Sequence, residues 1–431
     1  MSGLRGRLLL VACGGLILNL VVLPLRALGY LSQSDFVPFD AAGRIVRSGG
    51  CLYCLASQEA AVHGVAGTAA GGGLDSIGGL VFISPPAVAY LFAPFAGFDP
   101  HVARLIFMAL SLAALAMAGW LIARRLLPGL PVWQRIAVVI AGVASVPAAI
   151  GITGQIDPVI FGAVVAGIVV SRRHPLIGGV LIGALALKPQ LLVLVPVALV
   201  VGRHWRVLFG VALSVTAVGG TMLLHGFGHF LDWPRFVADY GSLSSWLPQS
   251  IPAVTGWLVH SGTVLFGMAA LCVTAGAIVL WLRRETLDSV HAAVGFGVAL
   301  SMIASPHLFG ADLVFLAIPL TWLALQDANR AIMLALCVSV AGMIDVETAP
   351  LAIAGPLVLL AIVVTLISPL RVLPPSIELV GRRQRSSAVR LLGARSLPPY
   401  AEPVSATLIA EQRAATGDQT QTGWPVSAGS A

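Results

Sequence analysis

Six polar side chains stand where chemistry is possible: Asp35, Gln155, Asp157, Lys188, His307 and Asp312. Asp35, in Ser34-Asp35-Phe36, follows the first apolar stretch. Its carboxylate can take a proton from an attacking hydroxyl as a general base, or it can simply cap the helix that follows. Gln155 and Asp157 lie in Gly154-Gln155-Ile156-Asp157-Pro158. There they either hydrogen-bond a substrate or form a polar turn in which Asp-Pro opens a helix. Lys188 is the only lysine of the chain and precedes Pro189. A compact ammonium at the membrane edge suits a phosphate, and the bland alternative is a side chain snorkelling from a helix end. His307 and Asp312 bracket a break, Ser305-Pro306-His307-Leu308-Phe309-Gly310-Ala311-Asp312, between two apolar stretches. Two carboxylates can hold a divalent cation, but no residues have spacing specific to a metal, so neither a metal nor another cofactor is expected. Cys51 and Cys54, two residues apart, suit a disulfide.

The elements that position these groups follow from composition. Of 431 residues, 58% are hydrophobic and 10% charged, whereas a soluble domain is about a quarter charged. Such a chain cannot cover its apolar surface with its own polar groups, so it is read as an all-α polytopic membrane protein. A disordered chain, a disulfide scaffold and a nucleic-acid-binding module are excluded. The net charge of +7 is explained by arginines flanking membrane spans.

A membrane helix needs roughly 20 apolar residues. Candidate stretches begin at Leu8–Leu25 and Val102–Ala123, continue through Pro158–Ser171, Leu176–Leu187 and Val290–Ala304, and end at Pro350–Pro369. They predict about twelve transmembrane helices. Arg5/Arg7, Arg124/Arg125, Arg172/Arg173, Arg203/Arg206, Arg283/Arg284, Arg330 and the tail arginines then fall on alternate loops. Those loops are cytoplasmic by the positive-inside rule, as are both termini, and Asp35, Asp157 and Asp312 face outward across the cell membrane. The segment 81–98, with Pro85-Pro86, would invert this pattern if it crossed, so a re-entrant or partial helix is expected there. Residues 27–80 form a long first outer loop carrying short juxtamembrane helices, and residues 226–262 a second outer loop. Together these make a membrane domain over 1–370, followed by an Arg/Pro/Ser-rich, largely disordered cytoplasmic tail over 371–431.

Several motifs carry a resemblance. Ser34-Asp35-Phe36, Phe39-x-Ala41-Ala42, Gly50-Cys51-Leu52-Tyr53 with Gln58, Pro85-Pro86, Gly154-Gln155, Leu187-Lys188-Pro189 and Ser305-Pro306-His307 with Asp312 occur in that order. Together they resemble glycosyltransferase family 87 across roughly residues 8–370. The sequence departs from the family's pattern at Phe39, Cys54 and Ser84, which bears on the acceptor. The resemblance implies a GT-C-type fold and a polyprenyl-phosphate-linked sugar donor. It also implies inverting transfer of a hexose, mannose first, to an envelope glycolipid or glycan. Asp35 would then be the base, Lys188 would meet the leaving phosphate, and Gln155 and His307 would orient the sugar or phosphate. Alternatives are an arabinofuranosyltransferase, a lipid or small-molecule transporter or flippase, and a scaffold that keeps the fold. A transporter would place matched broken helices at the midplane, whereas the polar groups here gather at outer helix ends.

Overall fold

The computed structural model describes residues 36–67, 80–224, 231–240, 250–252, 255, 261–347 and 354–368. Asp35, the stretch Leu8–Leu25 and most of 226–262 lie outside the described residues. Contacts divide the chain into residues 1–370 and 371–431; every described residue belongs to the first unit, and the tail lies wholly outside them. Regular structure among the described residues is helical, without a strand.

The first described stretches contribute α1 (Phe36–Arg47), α2 (Leu55–Ala66) and α3 (Pro86–Phe92). A disulfide joins Cys51 and Cys54 in the turn between α1 and α2. Gly67, at φ 68, ends α2 in the left-handed conformation that glycine adopts freely. Gln58 fastens this turn to the segment before α3. Its Nε2 donates to the carbonyls of Leu52 and Phe82 at 2.8 and 3.2 Å, and its Oε1 accepts from the Phe82 N–H at 2.8 Å. Tyr53 donates its hydroxyl to the Ser84 carbonyl at 2.8 Å. At seven residues, α3 is too short to cross a bilayer.

The next helix, α4 (Pro100–Leu121), starts on Pro100, and the Asp99 carboxylate accepts from the N–H groups of His101 and Val102. A wider turn, Ile122–Leu126, extends it to 27 residues, about 40 Å at 1.5 Å per residue. α5 (Val132–Val143) and α6 (Val146–Ile152) form a pair bent by 52°. After α7 (Asp157–Val170) and α8 (Pro175–Ile182) come two tight 3-10 turns, Gly183–Leu187 and Pro189–Leu191, separated by Lys188. Then follow α9 (Val195–Val201), α10 (Trp205–Gly220), α11 (Asp232–Tyr240), α12 (Gly262–Leu282) and α13 (Val290–Ala304). A 3-10 segment, Gly310–Leu316, leads into α14 (Ala317–Ala324), α15 (Ala328–Glu347) and α16 (Ala354–Ile367).

Pro100–Leu126, Trp205–Leu223 and Gly262–Leu282 are long and apolar enough to cross a membrane, and the bent α5–α6 pair makes a fourth if taken as one span. Other apolar stretches form helices of 10–17 residues, shortened where glycine, proline or a 3-10 turn interrupts them. α10 and α12 bury only 17% of their apolar windows and expose Phe209, Leu271 and Trp281, faces that belong in lipid rather than water. By contrast, α13 is buried from His291 to Ala304, with His291 Nε2 3.0 Å from Thr321 Oγ1. α8 and α10 touch backbone to backbone: a Cβ on Gly179 would lie 2.1 Å from the Val207 carbonyl oxygen, and one on Gly210 2.2 Å from that of Leu176. Small residues permit such close approach between membrane helices.

Candidate active site

Three segments far apart in sequence place one charged side chain each in a common buried cluster. Asp157 is the first residue of α7, where Pro158 has no N–H to lose. Lys188 precedes Pro189, which disfavours the α region for it. Its backbone sits at φ −129°, ψ 77°, breaking the helical run. Asp312 lies in the first turn of Gly310–Leu316, and its Oδ2 accepts from the Phe309 N–H at 2.7 Å. Lys188 Nζ donates to Oδ1 and Oδ2 of Asp157 at 2.8 and 2.7 Å and to Oδ1 of Asp312 at 2.7 Å. Both aspartates are fully buried and Lys188 nearly so. The ammonium thus stands between two buried carboxylates, and its charge is met inside the protein.

Lys188 was expected to meet a phosphate. Its three N–H donors instead have three carboxylate acceptors inside the protein, so none remains for a ligand in this arrangement. It takes the place between two carboxylates that a bound cation would otherwise occupy. The Phe309 ring lies 5.8 Å from Nζ, a cation–π distance. His307 packs edge-on against Phe309 at 4.4 Å between centroids. Its backbone N–H donates to Ser305 Oγ at 3.1 Å, whereas its Nε2 is buried without a partner among the described residues. Gln155 is buried in the turn ahead of Asp157, and its backbone N–H donates to the Gly151 carbonyl at 2.9 Å.

The opening of α1 packs against the same turn. A Cβ on Gly154 would lie 2.3 Å from the Phe36 nitrogen, so only glycine allows α1 to close onto the Gly154–Asp157 turn. Phe36 also packs against Phe92 and Phe107, at 6.0 and 5.9 Å between centroids. Gly154→Ala is therefore expected to cost about 1–3 kcal/mol by overpacking. It should also lower transfer more than that loss explains, because it pushes α1 off the turn; thermal midpoint and activity measured on the same preparation check this.

The chain matches the model of glycosyltransferase family 87 over residues 82–306, more than half its length. The chain belongs to glycosyltransferase family 87. No curated protein and no solved structure matches it. The family makes it a glycosyltransferase, with a sugar donor and an acceptor as substrates, and its lipid-facing helices make it a membrane protein. The matched region contains Pro85-Pro86, Gly154-Gln155, Asp157 and Lys188, and ends just before His307 and Asp312.

In this glycosyltransferase Asp157, Lys188 and Asp312 meet directly, His307 lies beside them across Phe309, and Gln155 shares the turn of Asp157. Asp35 lies outside the described residues. Asp40, in α1, is fully buried and accepts from Arg44 Nε at 3.0 Å. Burial holds its carboxyl above the usual range, and the Arg44 charge opposes the shift. Arg44 also donates to the Phe98 carbonyl at 3.0 Å, tying α1 to the approach of α4. A residue the motifs did not single out, Arg104 in α4, is fully buried, and none of its three guanidinium nitrogens has a partner among the described residues.

Proposed function

We propose that this glycosyltransferase moves a hexose, mannose first, from a polyprenyl-phosphate-linked donor to an envelope glycolipid or glycan. The reaction takes place on the outer face of the cell membrane, in a GT-C-type fold of about twelve crossings with both termini cytoplasmic. The observation that carries this reading is the buried Lys188–Asp157–Asp312 cluster, set beside the turn that receives Phe36 in a family 87 chain. Phe36 is the residue after Asp35.

Asp35 takes the proton from the acceptor hydroxyl as its oxygen attacks the anomeric carbon. The new C–O bond forms, the bond from the anomeric carbon to the phosphate oxygen breaks, and polyprenyl phosphate leaves with that electron pair. One in-line displacement inverts the configuration, as in other two-sided glycosyl chemistry. The transition state carries positive charge on the sugar ring, and carboxylate oxygens nearby favour it electrostatically. Lone pairs of Asp157 and Asp312 can accept from sugar hydroxyls, and Gln155 and the free His307 Nε2 can orient the ring. Lys188 holds the two carboxylates together.

The test uses membranes holding the full chain, given radiolabelled polyprenyl-phosphate-mannose or polyprenyl-phosphate-arabinose. Label entering a lipid or glycan acceptor from the mannose donor is expected. Transfer from arabinose alone would reassign the sugar, and transfer from neither, with a nucleotide-linked sugar serving instead, would overturn the donor class.

A further inference from the structure

Arg104 is 1% exposed, and its Nε, Nη1 and Nη2 are each buried without a hydrogen-bond partner among the described residues. A guanidinium carries five N–H donors and stays charged in proteins. An uncompensated buried charge is costly, and each unsatisfied buried group calls for an explanation. Snorkelling does not supply one, because the head group does not reach solvent. Four helical positions on, Met108 continues the same buried face, and Ser111, at seven positions, presents a hydroxyl that is also buried without a partner among the described residues.

Helix register places this stripe at the site. Ala114 of α4 meets Gly162 of α7, where an added Cβ would lie 3.1 Å away. Phe107 meets Phe36, and Phe36 meets Gly154 just ahead of α7. The two helices therefore run in the same direction, toward the outer end as residue numbers fall. Asp157 stands five residues before Gly162 and Arg104 ten before Ala114, so Arg104 lies about 7 Å further outward along the axis. The cation of the Asp157 cluster is enclosed by carboxylates, while the guanidinium above it has no acceptor among the described residues and attracts an anion.

We propose that Arg104 receives the phosphate of the lipid-linked donor and holds the polyprenyl phosphate as it leaves. The lipid part of this assignment rests on the donor class proposed above. A planar guanidinium matches phosphate oxygens in pairs, and Lys188 has no donor to spare. The site then sets carboxylates beside the sugar and a cation beside the leaving group.

The experiment measures binding to purified full-length protein in nanodiscs, with three probes: a short-chain polyprenyl monophosphate, inorganic phosphate, and the uncharged polyprenol of the same length. Charge-assisted hydrogen bonds of ordinary strength correspond to a tenfold to hundredfold change in affinity. Arg104→Gln is expected to weaken both phosphates at least tenfold and leave the alcohol unchanged, with Arg104→Lys intermediate. The empty Arg104→Gln protein should melt at or above the wild-type temperature, since an unpaired charge has been removed. A lowered melting temperature in both variants would make the arginine structural and overturn the proposal, as would unchanged phosphate binding or a wild type that binds neither phosphate. If inorganic phosphate binding depends on Arg104 while the polyprenyl phosphate does not bind, the anion site stands and the lipid donor falls.

Discussion

Lys188→Met is expected to destabilise the protein by about 3–5 kcal/mol, the cost of removing one partner from a buried ion pair. Asp157 and Asp312 would be left facing each other without the ammonium that now bonds three of their four oxygens. Two adjacent buried carboxylates cannot both stay ionised, so one would take up a proton. A drop in thermal midpoint of roughly 4–6 °C follows from an unfolding entropy of about 2.1 cal/mol/K per residue. The informative companion is the triple variant Asp157→Leu, Lys188→Met, Asp312→Leu. Replacing a whole buried ionic group by apolar residues is often neutral or stabilising, so the melting temperature should recover while transfer stays absent. Recovery of both would reduce the trio to a packing device.

Asp35→Asn is expected to lower the turnover number by about 10²–10⁴, the usual contribution of a general base, with donor binding unchanged. The competing role for this residue is a helix cap before α1, and it makes the opposite forecast. Loss of a cap costs about 0.5–2 kcal/mol of stability, asparagine caps nearly as well as aspartate, and turnover would hold. Asp40→Asn serves as the control, because Asp40 is committed to Arg44 within α1. That variant should lose some stability and keep most transfer. Single-turnover measurements with saturating donor separate the two outcomes for Asp35.

Much of the site was legible as residue types and little of it as partnership. Asp157-Pro158 reads as a helix start, and α7 begins there. Lys188-Pro189 reads as a helix end, and the chain breaks there because proline excludes the α conformation of the residue before it. Nothing in the local pattern joins Lys188 to Asp157, 31 residues away, or to Asp312, 124 residues away. Pairing between distant segments leaves no periodic trace, and Lys188 alone therefore reads as a free cation. Arg104 gives a visible signal, an ionisable residue inside the apolar stretch Val102–Ala123. What cannot be read from the chain is that no described neighbour offers it an acceptor. The apolar stretches mark helices well, yet several divide into shorter pieces at 3-10 turns such as Gly183–Leu187. Such breaks are set by what packs across them, not by hydropathy.

The most direct measurement is a structure of the Asp35→Asn protein with polyprenyl-phosphate-mannose bound. The anomeric carbon is expected within about 6 Å of residue 35, room for one attacking oxygen between them. The sugar is expected beside Gln155 and His307, and the phosphate on the α4 side against Arg104. A donor seated at the arginine-rich Arg172/Arg173 end, or with its anomeric carbon out of reach of residue 35, would contradict this mechanism.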